Sequence, residues 1–462
     1  MIKLSLGQIA AAVSGELVVG DSATEVSGTV RTDSRIMEQG DIFFAKLGEN
    51  EDGHRYLDTL VSKASLAIVS APRLDLSLAQ IKVEDTVVAL SRLAQFVLEK
   101  VRPNGLKVIG ITGSNGKTST KNMLASITAK VGKTVAPQDS FNNEVGLPLT
   151  VLRLEHDTKY LVLELGAAGL GSIDSLARWT KPDIGIQLKV GLAHAGAFGG
   201  IEITTLIKAE MMPHISELAI LNADDPIVSD FASNPGVNRS SFGYSSNAQL
   251  RLLNVSVTIA GTVVQLRYPD GEERELKLRI LGEHQAMNAA AALLAADSLG
   301  IDRTLAIQTL ADLEIAERWR MQPLTRKDGV LIINDAYNAS PDSMRAGLQT
   351  LATIGRQGHR TIAVLGLMAE LGDQTLAEHE TVGRLVVRYN IDKLFVVGKD
   401  AKILHLSATQ EGSWDGESEF FENASEAFDA INAKLLPGDV VLVKSSNVAG
   451  LRFLGDELAG VK

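Results

Sequence analysis

The chain has 462 residues, 45% of them hydrophobic and 22% charged, a composition of globular domains rather than of a disordered scaffold. At about 150 residues per domain, the length predicts roughly three domains. Lys plus Arg number 45 against 56 for Asp plus Glu, and the formal charge of −11 argues against bulk binding to nucleic acid or anionic lipid. There is no cysteine, which excludes a disulfide framework, a thiolate nucleophile and cysteine-ligated zinc or iron–sulfur.

Leu6, Ile9, Ala10 and Val13 fall at helical spacing, so the N-terminus reads as a short surface helix rather than a targeting segment. No apolar run is long enough to span a bilayer, and the expected compartment is the cytoplasm. Strands are predicted at 41–45 and 66–70. A helix follows at 86–99, with Val87, Leu90, Leu93, Ala94 and Val97 on one face. Pro103-Asn104-Gly105 favours a turn, and a first domain is placed at 1–103.

Beyond the turn, strand and helix alternate. An apolar, β-branched strand at 107–112 runs through a Gly-rich turn into a helix from Lys117 to about residue 130. Further strands are expected at 160–165, 183–188 and 218–221, the pattern of a mostly parallel, doubly wound sheet. Residues 250–280 alternate apolar and polar around Pro269-Asp270-Gly271, which predicts an antiparallel meander. An Ala-rich helix at 287–299 follows, and the second domain is placed at 104–316. A second strand–helix alternation then begins, with strands at 330–334, 361–365, 394–397 and 439–443 and helices near 342–352, 374–389 and 424–435. This predicts a third domain at 317–462. The expected fold class is α/β in three domains: a small α/β domain, a central P-loop-type doubly wound domain with a meander, and a C-terminal Rossmann-like domain.

The strongest local motif is Gly110-Ile-Thr-Gly-Ser-Asn-Gly-Lys-Thr-Ser-Thr120. A Gly-rich turn between strand and helix aims backbone N–H groups at phosphate oxygens, and the helix N-terminus favours negative charge. Gly113, Ser114, Asn115, Gly116, Lys117, Thr118 and Ser119 form the candidate nucleotide cradle. Lys117 is placed to reach the β/γ-phosphates, and the Thr118 hydroxyl to sit on Mg²⁺. The spacing is a short Thr-Gly-x-x-Gly-Lys-Thr form, because position 111 is Ile. Leu161-Val-Leu-Glu-Leu-Gly166 ends a strand on Glu164, a candidate magnesium-holding acid. His194, and Lys208 in Lys208-Ala-Glu210, read by themselves as a polar loop residue and a solvated helix lysine. Asn222-Ala-Asp-Asp-Pro226 suits a ribose contact or a helix cap equally.

Further segments join these. Thr32-Asp-Ser-Arg35, Gly40-Asp-Ile-Phe-Phe-Ala and Gly48-Glu-Asn-Glu-Asp-Gly-His54 lie in the first domain. Lys121 and Asn142-Asn-Glu-Val-Gly-Leu-Pro-Leu-Thr150 lie in the second. Asn334-Asp-Ala-Tyr-Asn-Ala-Ser-Pro341 and Gly366-Leu-Met-Ala-Glu-Leu-Gly372 lie in the third. With the P-loop, they resemble the Mur ligases, the ATP-dependent amide-forming enzymes of peptidoglycan synthesis, over essentially the whole chain.

Within that family the chain is similar to the members that add D-alanyl-D-alanine to UDP-N-acetylmuramoyl-tripeptide through an acyl phosphate. The Asp-Asn-Pro-Arg signature of the diaminopimelate-adding relative is absent. The resemblance implies ATP and two Mg²⁺ ions, with Thr118, Glu164, His194 and Lys208 as metal ligands and Lys117, His194 and Lys208 as catalytic residues. Lys208 matches the lysine that the family carbamylates with CO₂. Such a group offers anionic oxygens where a bare ammonium would repel Mg²⁺. His284, Asn288, Arg318 and Asp335 match nucleotide-contacting positions. Ser34, Arg35, Gly48, Asn142, Asn143, Tyr337 and Asn338 match substrate-binding positions. The first domain is then the UDP-substrate domain, the second the ATP domain and the third the ligase domain.

The implied partners are these small molecules alone, with no nucleic acid, no stable membrane insertion and a monomeric chain. The sequence departs from the family pattern at Gln285, Lys189, Ala168-Gly169 and Asn447, the last leaving the family's late Arg position without a cation. Two other readings stay open: another ligase of the superfamily, such as a folylpolyglutamate synthase, and a P-loop binding protein without ligase chemistry.

Overall fold

In the computed structural model, the described residues are 1–48, 51–138, 140–191, 198–314, 317–411 and 417–461. Three large sheets carry the α/β fold, beside a two-stranded pairing of Leu4–Ser5 with Glu25–Val26. The first runs Glu16–Val19, Gln80–Lys82, Leu66–Val69, Ile42–Phe44, Val30–Arg31, parallel apart from its first pairing. Leu6–Val13 is helical, and its buried face is Leu6, Ile9, Ala10 and Val13, as the spacing predicts. The helix Thr86–Val101 starts where the Asp85 carboxylate accepts the Val87 and Val88 N–H groups. Its apolar face belongs to the same buried cluster as Leu147, Val151 and Leu161, so the first sheet is packed onto the central one through this helix.

The Pro103 turn is therefore no loose linker. Arg102 donates to Asp183 at 3.0 Å and to the Thr180 and Lys181 carbonyls, and Asp183 also accepts the buried Val108 N–H at 2.7 Å.

The central sheet has nine strands: Glu273–Leu278, Gly261–Arg267, Leu250–Thr258, Asn238–Gly243, Leu218–Asn222, Ile184–Gln187, Lys107–Thr112, Tyr160–Glu164 and Thr134–Val135. From Thr134–Val135 to Leu250–Thr258 the pairings are parallel, and the last two are the expected antiparallel meander. Parallel strands covered on both faces must be apolar throughout, and Val108, Ile109 and Ile111 are fully buried. The Ala-rich helix begins at Glu283 rather than 287 and runs to Ser298. Its run of alanines lets it lie buried against the helix Lys117–Thr128 and the meander.

The third sheet runs Gln322–Thr325, Leu331–Asn334, Val440–Lys444, Thr361–Leu365, Lys393–Val397, Ser418–Phe421. Alternate residues of its strands enter two separate cores: Ile333, Leu365, Val396 and Leu442 on one face, Ile332, Val364, Val397 and Val443 on the other. Helix Pro341–Gly355 covers the first face and Leu451–Leu458 the second. The strands they follow, Leu331–Asn334 and Val440–Lys444, are neighbours, so their carboxyl ends form the switch point at which such sheets place ligands.

In the central and third sheets, four strands were not among those expected: Thr134–Val135, Asn238–Gly243, Gln322–Thr325 and Ser418–Phe421. They are very short, polar or interrupted by Pro323, and three of them lie at sheet edges, where pairing rather than local pattern makes the strand.

Replacing Asp183 by Ala leaves the buried Val108 N–H without its acceptor and removes the carboxylate paired with Arg102. Denaturant unfolding followed by intrinsic fluorescence is expected to show a loss of about 2–4 kcal/mol, with ADP binding at low denaturant retained.

Candidate active site

The carboxyl ends of the central strands, the start of the Ala-rich helix and the third sheet's switch point enclose one cleft of about 970 Å³. On its floor the strand Lys107–Thr112 turns through Gly113 (φ 149°) and Gly116 (φ 86°) into the helix Lys117–Thr128. A Cβ on Gly116 would lie 2.3 Å from the Asn288 side-chain oxygen, so only glycine fits there. No side chain caps this helix, and its first N–H groups face the cleft as an anion cradle. Lys117 folds back, its Nζ donating to the Gly113 carbonyl at 2.8 Å and the Ser114 carbonyl at 3.3 Å. Burial pulls its pKa down, and the Glu164 carboxylate opposes that shift.

Glu164 is 1% exposed. Its carboxylate accepts the Thr118 hydroxyl at 2.9 Å and the Asn142 amide at 2.8 Å. A carboxylate beside a hydroxyl is a donor set for a hard, oxygen-seeking cation, and Mg²⁺ needs only one or two such protein ligands beside phosphate and water. These residues therefore fit magnesium, although among the described residues no three His, Asp or Glu cluster for metal binding. His194 lies outside the described residues. Lys208 lies in the last turn of the helix Ile201–Ala209 and is buried at 3% exposure. Its pKa is pulled down to about 7, by burial first and by the charge of Lys117 second, so much of the amine is unprotonated at neutral pH.

The other wall comes from the third sheet. Asp335 and Lys444 pair at 2.6 Å at the switch point, and Lys444 also donates to the Asn338 carbonyl at 3.0 Å. Tyr337 and Asn338 line the cleft, and the Arg320 guanidinium stacks over Tyr337, 4.6 Å from the ring centre. The Arg320 Nε is buried without a hydrogen-bond partner, and its charge is felt at Lys117. His284, Asn288, Phe242, Tyr244 and Met287 also line the cleft. Burial pushes the His284 imidazole down to about 4, so it is neutral across physiological pH. Asn288 donates to Gln285 at 3.1 Å.

The residues expected from the sequence thus divide. Ser114, Asn115, Gly116, Lys117, Thr118, Ser119, Asn142, Glu164, His284, Asn288, Asp335, Tyr337 and Asn338 line one cleft, and Gly113 supplies the carbonyl that holds Lys117. Arg318 is not part of that lining. It pairs with Asp456 at 2.9 Å and stacks on Trp319, half exposed. Left-handed backbone at Trp319 (φ 58°) and Met321 (φ 47°) bends this stretch, and Arg320 is the arginine that enters the cleft. Residue type alone did not distinguish the two arginines; their burial and partners do.

Asn143 turns to the Val145 and Gly146 N–H groups. Ser34, Arg35 and Gly48 stand apart on the first sheet's loops, with Arg35 clamped by Asp33 at 2.7 Å. His54 is a staple there, its Nδ1 against Asp52 at 2.6 Å and its Nε2 accepting the Ser70 N–H at 2.9 Å. Asp225 both caps Pro226–Ser229 and accepts the Val190 N–H, while lining the cleft.

Known proteins match this arrangement throughout. The Mur ligase middle-domain pattern fits residues 111–296, and the Mur ligase glutamate-ligase-domain pattern fits 319–447. The chain is 38% identical to the UDP-N-acetylmuramoyl-tripeptide–D-alanyl-D-alanine ligase of Mycobacterium tuberculosis, over 99% of this chain and 98% of that one. It is 32% identical to the Bacillus subtilis protein of the same name, over 96% of each. Among solved structures, MurF from Acinetobacter baumannii superposes with a TM-score of 0.88 at 29% identity, over 99% of both chains. MurF ligase from Thermotoga maritima in complex with ADP superposes with a TM-score of 0.81 at 27% identity, over 94% of this chain and 98% of that one. By full-length likeness in sequence and fold, the chain belongs to the Mur ligase family.

Proposed function

We propose that this protein joins D-alanyl-D-alanine to UDP-N-acetylmuramoyl-tripeptide, with ATP cleaved to ADP and phosphate, in the cytoplasmic synthesis of peptidoglycan precursors. The observation that carries this reading is the cleft itself. Lys117 and Glu164 from the central sheet meet Arg320 and the Asp335–Lys444 pair from the third, in a chain whose full-length relatives bear that activity's name.

The chemistry follows from the charges. A carboxylate of the UDP-linked peptide attacks the γ-phosphorus of ATP; the bond to the β-phosphate oxygen breaks and ADP leaves. The P-loop N–H groups and Lys117 hold the phosphates in line, and Arg320 neutralises charge on the transferring group. Magnesium would be held by Thr118 and Glu164 and, when bound, supplies further neutralisation of the phosphates. The amine of D-alanyl-D-alanine then attacks the acyl carbon. Phosphate leaves, and the amine gives up a proton to form the amide. Enclosure by the third sheet keeps water from the acyl phosphate.

Lys208 would complete the donor set as a carbamate: its unprotonated amine adds to CO₂, releases a proton and leaves one negative charge shared by two oxygens. Burial and the low pKa support this assignment. Adenine lodges against His284, Phe242 and Met287. We assign the UDP end to 1–103, ATP to 104–316 and the amine substrate to 317–462, in a monomer whose Ser34, Arg35 and Gly48 meet the UDP-linked substrate when the units close.

Phosphate release from ATP with the UDP-linked tripeptide is expected to require D-alanyl-D-alanine for sustained turnover; turnover with L-glutamate or another single amino acid instead would favour a different ligase of the family. Lys117→Ala should lower kcat by on the order of 100- to 1000-fold. Arg320→Ala should cost about 100-fold in kcat, whereas Arg318→Ala, at a half-exposed pair, should stay within about threefold. The reverse order would overturn the assignment of Arg320. Lys208→Ala should lose about 100-fold and recover part of it with added acetate or formate, which return anionic oxygens to the gap.

A further inference from the structure

Glu210 lies just past the helix Ile201–Ala209, two residues from Lys208, at the negative end of that helix's dipole. A carboxylate gains nothing from its own helix there. The compensation comes from a second helix, Ser172–Thr180, whose N-terminus no side chain of its own caps. The Glu210 carboxylate accepts the Gly171 N–H at 2.5 Å and the Ile173 and Asp174 N–H groups at 3.0 Å each. This second helix ends the loop that leaves Glu164: strand Tyr160–Glu164 runs out, and residues 165–171 lead to the N–H groups that Glu210 holds. On the other side, the buried Gln187 amide donates to the Lys208 carbonyl at 2.9 Å. The backbone of Lys208 is thus pinned from the central strand Ile184–Gln187, and its helix end is tied to the loop behind Glu164.

We propose that Glu210 is a positioning residue for the reaction: its clamp on the Ser172–Thr180 helix fixes the separation of Glu164 and Lys208, and so the oxygen set that both present to the metal. The proposal rests on the reading of Lys208 as a carbamate ligand. The bound helix N-terminus offsets the charge of Glu210, so a second carboxylate stands near this anionic site without competing for the cation. A group that orients metal ligands in this way is worth about 10- to 100-fold in metal affinity.

The test compares wild type, Glu210→Gln, Glu210→Ala and Lys208→Ala, with full-length protein and ADP. Mn²⁺ binding is read by electron paramagnetic resonance, and carbamate by the ¹³C signal after addition of ¹³C-bicarbonate. Glu210→Ala is expected to weaken Mn²⁺ binding by about 10- to 100-fold and to reduce the carbamate signal. Glu210→Gln should fall between, because a carboxamide keeps one acceptor oxygen. A folded Glu210→Ala protein with Mn²⁺ affinity and carbamate signal within twofold of wild type overturns the clamp and leaves Glu210 a helix cap. Should the Ala variant not fold, the Gln variant is judged by the same criterion. Absence of the carbamate signal from wild type, or its persistence in Lys208→Ala, overturns the Lys208 reading and the clamp with it.

Discussion

The Glu164 carboxylate is buried at the end of a strand covered on both faces, and a bare charge there would be costly. Its hydrogen bonds from Thr118 and Asn142 remove that cost, and each partner drags a larger element with it. Thr118 is the second residue of the P-loop helix, so the strand Tyr160–Glu164 and the helix Lys117–Thr128 are locked at the catalytic end. Asn142 brings in the loop at 140–146, which also accepts the Gly166 N–H through the Asn142 carbonyl. Around this one acid the central sheet's carboxyl edge becomes a site.

The second wall obeys the same logic on another sheet. Asp335 and Lys444 leave adjacent strands whose following helices cover opposite faces, and their ion pair sits where the backbone diverges. Polar contacts join the two units: Ser340 donates to Asn115 at 3.3 Å, Asn122 donates to Glu317 at 2.8 Å, and Lys189 pairs with Asp342 at 3.4 Å. Such contacts hold two units at reach without fusing them, which suits a site that must admit and release three substrates.

The acidic balance of the whole chain does not reverse locally. Five cationic side chains and six carboxylates line the cleft. On the proposed reading, anionic substrates are met by direction rather than by net charge: backbone N–H groups at the P-loop, Lys117 beside them, and Arg320 from the third unit. Cations already paired, such as Lys444 with Asp335, shape the wall more than they attract.

Much of the fold was legible in the sequence because the central and third sheets are parallel and buried, so their strands are short apolar runs separated by helical periodicity. The strand at Thr361–Leu365 and the stripe of Leu6–Val13 follow directly from that pattern. Edge strands such as Gln322–Thr325 were not legible, since a four-residue segment holding Pro323 has no strand pattern of its own and is made a strand by its pairing with Leu331–Asn334. The P-loop and Glu164 stood out because phosphate binding imposes local chemistry on consecutive residues. Lys208 and Arg320 are different. A lysine on a helix and one of two arginines two positions apart carry no local mark. Their burial, the low pKa of Lys208 and the unpaired Nε of Arg320 arise only when separate elements close around them. Sequence by itself determined the class of sheets, the cradle and the likeness to a ligase family; tertiary structure alone decided which cations enter the cleft, because that depends on contacts between residues that no local pattern brings together.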